Sequence, residues 1–253
     1  MAFYQREYEW LAYAGSIFAF LFAVFVFTLF LQRKKTKPTN LLLILTYAIA
    51  FLGIAPFVDF LTFTIVRLNP ELNQTYDLTK LCTVISFSAN AIANIFILKF
   101  VQITFYEKEP KKYLILTVLQ IIVIPFMFIS YLIKIDLIVP LILHVVVSLV
   151  IYQILGKNAF YLRRKIQGSE KEHEISRNSL LYIGLSGYVM IISIFLFVSH
   201  EILLLIPIRE YLSVALGWVT ASIAAFLIYI GYTTPEWIRN YWIKNIKKID
   251  EEN

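Results

Sequence analysis

The chain alternates long apolar stretches with short segments that concentrate its lysines and arginines. A helix needs about 20 mostly apolar residues to cross roughly 30 Å of hydrocarbon, because it rises about 1.5 Å per residue. Seven stretches are long enough to predict a membrane-spanning helix each: residues 10–32, 39–66, 80–106, 113–133, 137–160, 178–207 and 210–233. The pattern therefore predicts an all-α, seven-transmembrane helix bundle over residues 1–234.

The boundary between the fourth and fifth spans depends on a short break at Lys134, Ile135 and Asp136. Without this break, residues 113–156 would form one helix about twice as long as the hydrocarbon is thick. A tight hairpin between two spans is therefore the better interpretation.

The overall composition supports lipid as the solvent of this chain. Hydrophobic residues make up 59% and charged residues 16%, against about 45–50% and about 25% in soluble globular proteins. These values exclude a disordered chain, a disulfide scaffold and an ordinary cytosolic enzyme. The single cysteine, Cys82, excludes an internal disulfide and a multi-thiolate metal site.

The distribution of basic residues predicts how the bundle is oriented. Most of the 23 lysines and arginines fall in the first, third and fifth connections and in the carboxyl-terminal tail. By the positive-inside rule, the amino terminus lies outside and the carboxyl terminus in the cytoplasm of a multi-pass protein of the cell membrane. The net charge of +6 is then an orientation signal with some attraction to anionic headgroups, and nucleic-acid binding explains it less well.

Small residues in two spans predict where helices pack closely, because close packing in lipid relies on small side chains and interhelical hydrogen bonds. At intervals of four, the first and seventh spans carry Gly15, Ala19, Ser213, Gly217, Ala221 and Ala225. The fourth span has only Thr117, Gln120 and Ser130 as hydrogen-bonding interruptions. We therefore expect the fourth span to be peripheral.

Ionisable side chains occur at about one depth in the predicted outer half of three spans. An ionisable group in hydrocarbon costs several kcal/mol and normally faces a partner or water. We predict an outward-facing polar pocket whose candidate ligand-binding residues are Asp59, Asn90, Asn94, His144, His200 and Glu201. The pocket could bind a polar or cationic ligand, or sense protons through histidine. In the alternative interpretation, an Asp–His hydrogen bond and the two asparagines only join helices together.

No cofactor is predicted. The imidazoles of His144 and His200 could hold a haem iron, or a metal ion together with carboxylates, only if the helices converged in a way that sequence does not show. A retinal Schiff base needs a lysine in the seventh span, and residues 210–233 contain none.

Residues 235–253 predict a short amphipathic helix followed by a tail. Thr234 is a candidate N-cap and Pro235 suits the first helical position. Apolar and basic residues fall mostly on different sides of this helix, as is typical of a helix lying in the inner membrane interface. Its predicted interfacial residues are Trp237, Arg239, Trp242 and Lys244.

The stretch Gly231–Arg239, which reads Gly-Tyr-x-x-Pro-Glu-Trp-Ile-Arg, resembles the end of the amino-terminal seven-helix sensor regions of prokaryotic histidine kinases and diguanylate cyclases. In those proteins a similar Gly-aromatic-x-Pro-Pro/x-Trp-Leu-Arg stretch leads from the last span into a linker. The present chain departs from them because it carries no kinase, cyclase or coiled-coil output after this stretch. The resemblance therefore implies signalling through a separate cytoplasmic protein.

These observations predict an integral membrane receptor-like or sensor-like protein without enzymatic activity, since no nucleophile–base or metal motif stands out. A small transporter or ion carrier that uses the same intramembrane polar residues is the alternative. A third interpretation is an assembly subunit or homo-oligomer, for which the small-residue stripes would be the main surface. The lipid bilayer is the partner common to all three.

Overall fold

The computed structural model describes residues 2–36, 38–69, 71, 77–105, 110–168, 171–202 and 207–252. Within these ranges, only the backbone is described at residues 2–9, 110, 112, 200–202, 207–210 and 245–252.

The described ranges are helical almost throughout and contain no strand. They form eight α-helices: α1 (Ala2–Thr36), α2 (Asn40–Leu68), α3 (Leu78–Phe105), α4 (Pro110–Leu132), α5 (Ile138–Lys165), α6 (Lys171–Ile202), α7 (Pro207–Thr233) and α8 (Glu236–Glu252). Among the described helices, α1 to α7 are long and apolar enough to cross a membrane. The predicted all-α, seven-span fold followed by a short carboxyl-terminal helix is confirmed.

Several helices extend further than the apolar stretches that predicted them, and α5 and α6 do so where they approach each other in sequence. α5 continues to Lys165 and α6 begins at Lys171, whereas the apolar pattern ends the fifth span at residue 160 and begins the sixth at residue 178. Helical backbone hydrogen bonds need no lipid, so a helix can continue into water. Basic side chains in the last turn of α5 and acidic ones in the first turn of α6 also favour the respective helix dipoles.

Six of the spanning helices form a closed ring. The neighbours around it are α1 and α2, α2 and α3, α3 and α5, α5 and α6, α6 and α7, and finally α7 and α1. α4 packs against α3 and α5 from outside this ring, which agrees with its predicted peripheral position. α3 therefore has different neighbours on different faces: α2 on one side, and α4 and α5 on the other.

Glycines allow two of the ring contacts to be unusually close. A Cβ added at Gly15 would lie 2.8 Å from the Cα of Ala215, where α1 meets α7. A Cβ added at Gly187 would lie 2.7 Å from the carbonyl oxygen of Tyr152 and 2.9 Å from the nitrogen of Gly156, where α5 meets α6. Any side chain at these positions would push the two backbones apart.

The two ends of the bundle are filled differently. At the end where α8 lies, called the α8 end, one continuous cluster of buried apolar side chains joins the helices; its members include Phe30, Leu45, Ile49, Ile97, Phe100, Ile151, Leu155, Ile228 and Trp242. The opposite end has two small clusters, one around Val84, Val123 and Met127 and one around Ala19, Ala55 and Trp218. Polar side chains are therefore interleaved with the apolar ones mainly away from the α8 end.

Candidate functional site

Asp59 on α2 lies against polar side chains of α3. Its Oδ1 accepts hydrogen bonds from the Cys82 thiol at 3.0 Å and from the Ser86 hydroxyl at 3.1 Å. The Ser86 hydroxyl also lies 3.3 Å from the carbonyl oxygen of Ala55. We call Asp59, Cys82 and Ser86 the Asp59 cluster. Cys82 and Ser86 are buried, but Asp59 is only partly so.

The spacing along α3 explains why this cluster forms. Cys82 and Ser86 are four residues apart, so they lie one turn apart on one helix face and can both reach a group on α2. Asn90 continues the same row by one more turn. Its side chain is half-buried, and no hydrogen bond joins it to another described residue.

A second polar group, the His144 network, joins α3, α4 and α5 and consists of Asn94, Gln120, His144 and Ser148. The Asn94 Nδ2 donates a hydrogen bond to the Ser148 Oγ at 2.8 Å, and the Gln120 Nε2 lies 3.5 Å from the same oxygen. The His144 Nδ1 lies 3.2 Å from the Gln120 Oε1. Because that amide oxygen can only accept, Nδ1 carries the proton in this arrangement.

Each side chain of the His144 network is hydrogen-bonded to at least one other member. The Ser148 hydroxyl donates to the carbonyl oxygen of His144 at 2.6 Å, while its oxygen accepts from the two amides. All four side chains are at most 4% exposed. A buried polar network of this kind holds helices together and excludes water.

Asp59 and His144 lie in two groups on different faces of α3. Asp59 bonds to Ser86, whereas the ring of His144 packs edge-on against the ring of Phe87 with centroids 5.4 Å apart. Consecutive residues point about 100° apart around a helix. Asp59 and His144 therefore contact neighbouring residues of α3, but their described contacts do not converge on one polar pocket. Their common depth in the membrane stays a prediction.

Of the other predicted ligand-binding residues, Asn94 belongs to the His144 network and Asn90 to the row of the Asp59 cluster. His200 and Glu201 lie in the last turn of α6, and their side chains lie outside the described part of the chain. Their participation in a pocket stays a prediction.

The predicted small-residue stripes lie at helix contacts. Gly15 meets Ala215 across α1 and α7, and the Ser193 hydroxyl on α6 donates to the carbonyl oxygen of Gly217 at 2.8 Å. Ala19, Ser213 and Ala225 are buried, and Ala221 is partly buried. Trp218, which the sequence reasoning did not single out, is also buried beside this stripe with its ring edge-on to Phe197.

α8 is attached to the starts and ends of neighbouring spans. Arg239 on α8 forms an ion pair with Glu172 on α6 at 2.5 Å, and Thr234, just before α8, lies 2.8 Å from Ser179 on α6 through the two hydroxyl oxygens. Trp237, Arg239 and Lys244 are exposed, and their position at the membrane interface stays a prediction. Trp242 is instead buried, with its ring 5.6 Å from the Tyr182 ring, because its side of α8 faces α6.

Gln120 and Ser148 are the two members of the His144 network that were not predicted as site residues. Gln120 was noted only as a polar interruption of a peripheral span. A single amide within an otherwise apolar stretch is expensive to leave unpaired in lipid, and this cost was the signal for a buried partner. Ser148 gave no comparable signal, because a lone serine can bond to its own helix.

Neither a metal centre nor a known relative identifies the site. In the part of the chain that the structure describes, no three His, Cys, Asp or Glu side chains are grouped so that they could hold a metal ion. No protein-family model, curated protein sequence or solved structure matches this chain. The function is therefore inferred from the geometry of the polar groups and of α8.

Proposed function

We propose that this membrane protein is receptor-like or sensor-like, with a polar ligand site at the Asp59 cluster and Asn90. In the predicted orientation this site opens toward the outside, and the α8 end faces the cytoplasm. Binding changes the packing of α3 against α2, and the change is passed through the bundle to α8. A separate cytoplasmic protein then reads the position of α8.

The observation that carries the proposal is that Asp59 on α2 and Asn90, one turn beyond its partner Ser86 on α3, are both only partly buried. A carboxylate and an amide that retain access to water can exchange that water for the donors of a ligand. The surrounding apolar clusters are small at this end of the bundle, so ligand entry does not require the main core to open. A ligand with an ammonium or another hydrogen-bond donor fits this pair best.

The attachment of α8 supports the signalling part of the proposal. Through Glu172, Ser179 and Tyr182, the beginning of α6 contacts α8 or the turn before it. A rotation or shift of α6 relative to α7 would therefore move α8 along the membrane surface. The resemblance of Gly231–Arg239 to the ends of prokaryotic sensor regions also supports this part.

Ligand binding is tested by thermal-shift measurements on the detergent-solubilised protein with a panel of organic amines and amino acids. We expect at least one compound to raise the midpoint of the wild type and of Ser222→Ala, a variant of a buried serine far from the Asp59 cluster. The same compound should fail to stabilise Asp59→Asn and should stabilise Asn90→Ala less. Equal shifts in all variants would contradict the site.

Signalling is tested by distances between spin labels on α8 and on α4. Labels are attached at Asn240→Cys and Lys111→Cys, both exposed positions, in a Cys82→Ala background. We expect the compound found above to change the label separation. If the separation is constant and the compound instead crosses proteoliposome membranes in an Asp59-dependent manner, the protein is a transporter and the receptor proposal is wrong.

A further inference from the structure

The end of α5, the connection that follows it and the beginning of α6 form a polar cleft at the α8 end of the molecule. This cavity, called the basic cleft, has a volume of about 420 Å³ and is lined by Arg163, Arg164, Ile166, Glu174 and Arg177. Its volume lies within the range of about 300–1,000 Å³ that is usual for small-molecule sites. It lies apart from the Asp59 cluster, at the other end of the bundle.

The charges that line the basic cleft do not balance. Three arginines face one glutamate, and that glutamate forms an ion pair with Arg177, three residues further along α6. Arg163 and Arg164 have no ion pair with any other described residue. The cleft thus carries an excess of two positive charges, counting the three arginines against Glu174.

Arg163 provides an independent indication of a missing partner. Its Nε is buried from solvent and has no hydrogen-bond partner within the described ranges. A buried N–H group of a charged side chain without a partner is costly, because water is lost and nothing replaces it. A bound anion would remove this cost.

We propose that the basic cleft binds a phosphate group, with Arg163 and Arg177 donating hydrogen bonds to its oxygens and Arg164 adding charge. The guanidinium fork matches the spacing of phosphate oxygens, and its bonds to an anion are among the stronger ones in proteins. Two sources share this chemistry: the headgroup of an anionic phospholipid, and a free phosphate in solution. In the predicted orientation, both would reach the cleft from the cytoplasmic side.

The test uses the full chain in nanodiscs of phosphatidylcholine, and the readout is the midpoint of thermal unfolding. One arm adds inorganic phosphate to the solution, and the other includes phosphatidic acid in the disc. Stabilisation by inorganic phosphate identifies a soluble ligand, and stabilisation by phosphatidic acid alone identifies a lipid headgroup. Either result supports the proposal, whereas no stabilisation in both arms overturns it.

Variants distinguish a specific phosphate site from nonspecific attraction of anions to the positively charged surface. We expect Arg163→Gln to weaken binding of the stabilising probe by about tenfold or more, and Arg163→Lys to recover only part of the loss because the fork is absent. Lys165→Gln is the matched control, since it removes one positive charge two residues away but outside the cleft. Equal losses in Arg163→Gln and Lys165→Gln would overturn the proposal.

Substituting Glu174 should change the affinity for the probe in the opposite direction. Because it occupies Arg177, we expect Glu174→Gln to tighten binding of the same probe by several-fold. Glu172→Gln removes the same charge two residues earlier, outside the cleft, and should change the affinity less. An unchanged or weaker affinity in Glu174→Gln would contradict the assignment of Arg177, even if the variants of Arg163 behave as expected.

Discussion

The Asp59 cluster and the His144 network both include residues of α3, yet they differ in how deeply their side chains are buried. The His144 network is closed, because each amide, hydroxyl and imidazole is buried and bonded to another member. The Asp59 cluster is less enclosed, because Asp59 and the next polar residue in its row, Asn90, are only partly buried.

This difference separates a structural role from a binding role. A closed network contributes to helix association, and its loss leaves buried donors without acceptors. An open cluster contributes less to stability, but its groups can exchange water for a ligand. Substitutions should therefore reduce stability most in the His144 network and affect binding most in the Asp59 cluster.

The largest loss of stability is expected for Ser148→Ala. Removing this hydroxyl leaves the Asn94 and Gln120 amides without their common acceptor, so the free energy of unfolding should fall by about 2 kcal/mol. The control is Ser222→Ala, since Ser222 is equally a buried serine but bonds to the Trp218 carbonyl of its own helix. The free energy of unfolding of both variants is measured in mixed detergent micelles. Similar losses in Ser148→Ala and Ser222→Ala would mean that the network does not join the helices as described.

The accessibility of a cysteine to a thiol reagent should differ between positions 90 and 94, which lie one helical turn apart on α3. In a Cys82→Ala background, we expect Asn90→Cys to react about tenfold or more faster than Asn94→Cys with a small, membrane-impermeant thiol reagent. The residue at position 90 is half-exposed, whereas Asn94 is 2% exposed. Labelling of sealed proteoliposomes from each side also tests the predicted orientation. Equal rates would remove the distinction between an open and a closed group.

A smaller loss of stability is expected for Ser86→Ala. Asp59 loses one donor but keeps the Cys82 thiol and its access to water, so the free energy of unfolding should fall by about 1 kcal/mol. Ser16→Ala serves as the comparison, because Ser16 is buried and bonds only locally to the Ala12 carbonyl. A loss as large as that of Ser148→Ala would show that the Asp59 cluster is as structural as the His144 network.

The smallest effect is expected for Asn90→Ala. Its side chain has no described hydrogen bond to lose, so the free energy of unfolding should change by less than about 0.5 kcal/mol. Ligand-dependent stabilisation should nevertheless decrease. A large loss of stability without ligand would show that Asn90, like Asn94, stabilises the fold rather than binding a ligand.

The sequence predicted the fold well because the length of an apolar stretch alone decides whether a helix can cross the bilayer. The position of a residue along its helix, and hence the expected depth of Asp59 and His144, follows from residue number. The rotation of each helix about its axis, which decides which neighbouring helix a side chain meets, does not follow from residue number. Ser86 and Phe87 are neighbours in sequence but meet different helices, and no local pattern reveals which neighbour each one meets.

The same reasoning explains the two missed members of the His144 network. Gln120 lies on α4, whose almost wholly apolar sequence predicts a peripheral helix. Its hydrogen-bond partners are 24 and 28 residues away in the chain. The network forms because α4 packs into the angle between α3 and α5. The relative arrangement of three helices decides which side chains meet there. Capping, residue spacing and composition describe only one helix at a time, so they do not predict this arrangement.

The contact between Gly15 and Ala215 has a consequence for biosynthesis. During translation, the first span enters the bilayer long before its permanent neighbour has been made, since some 200 residues separate the two contact points. Until α7 is inserted, the stripe on α1 must face lipid, a chaperone or the insertion machinery. The ring is thus completed only when α7 is inserted, and nascent chains that stall before that point would expose the unpaired face of α1 to membrane quality control.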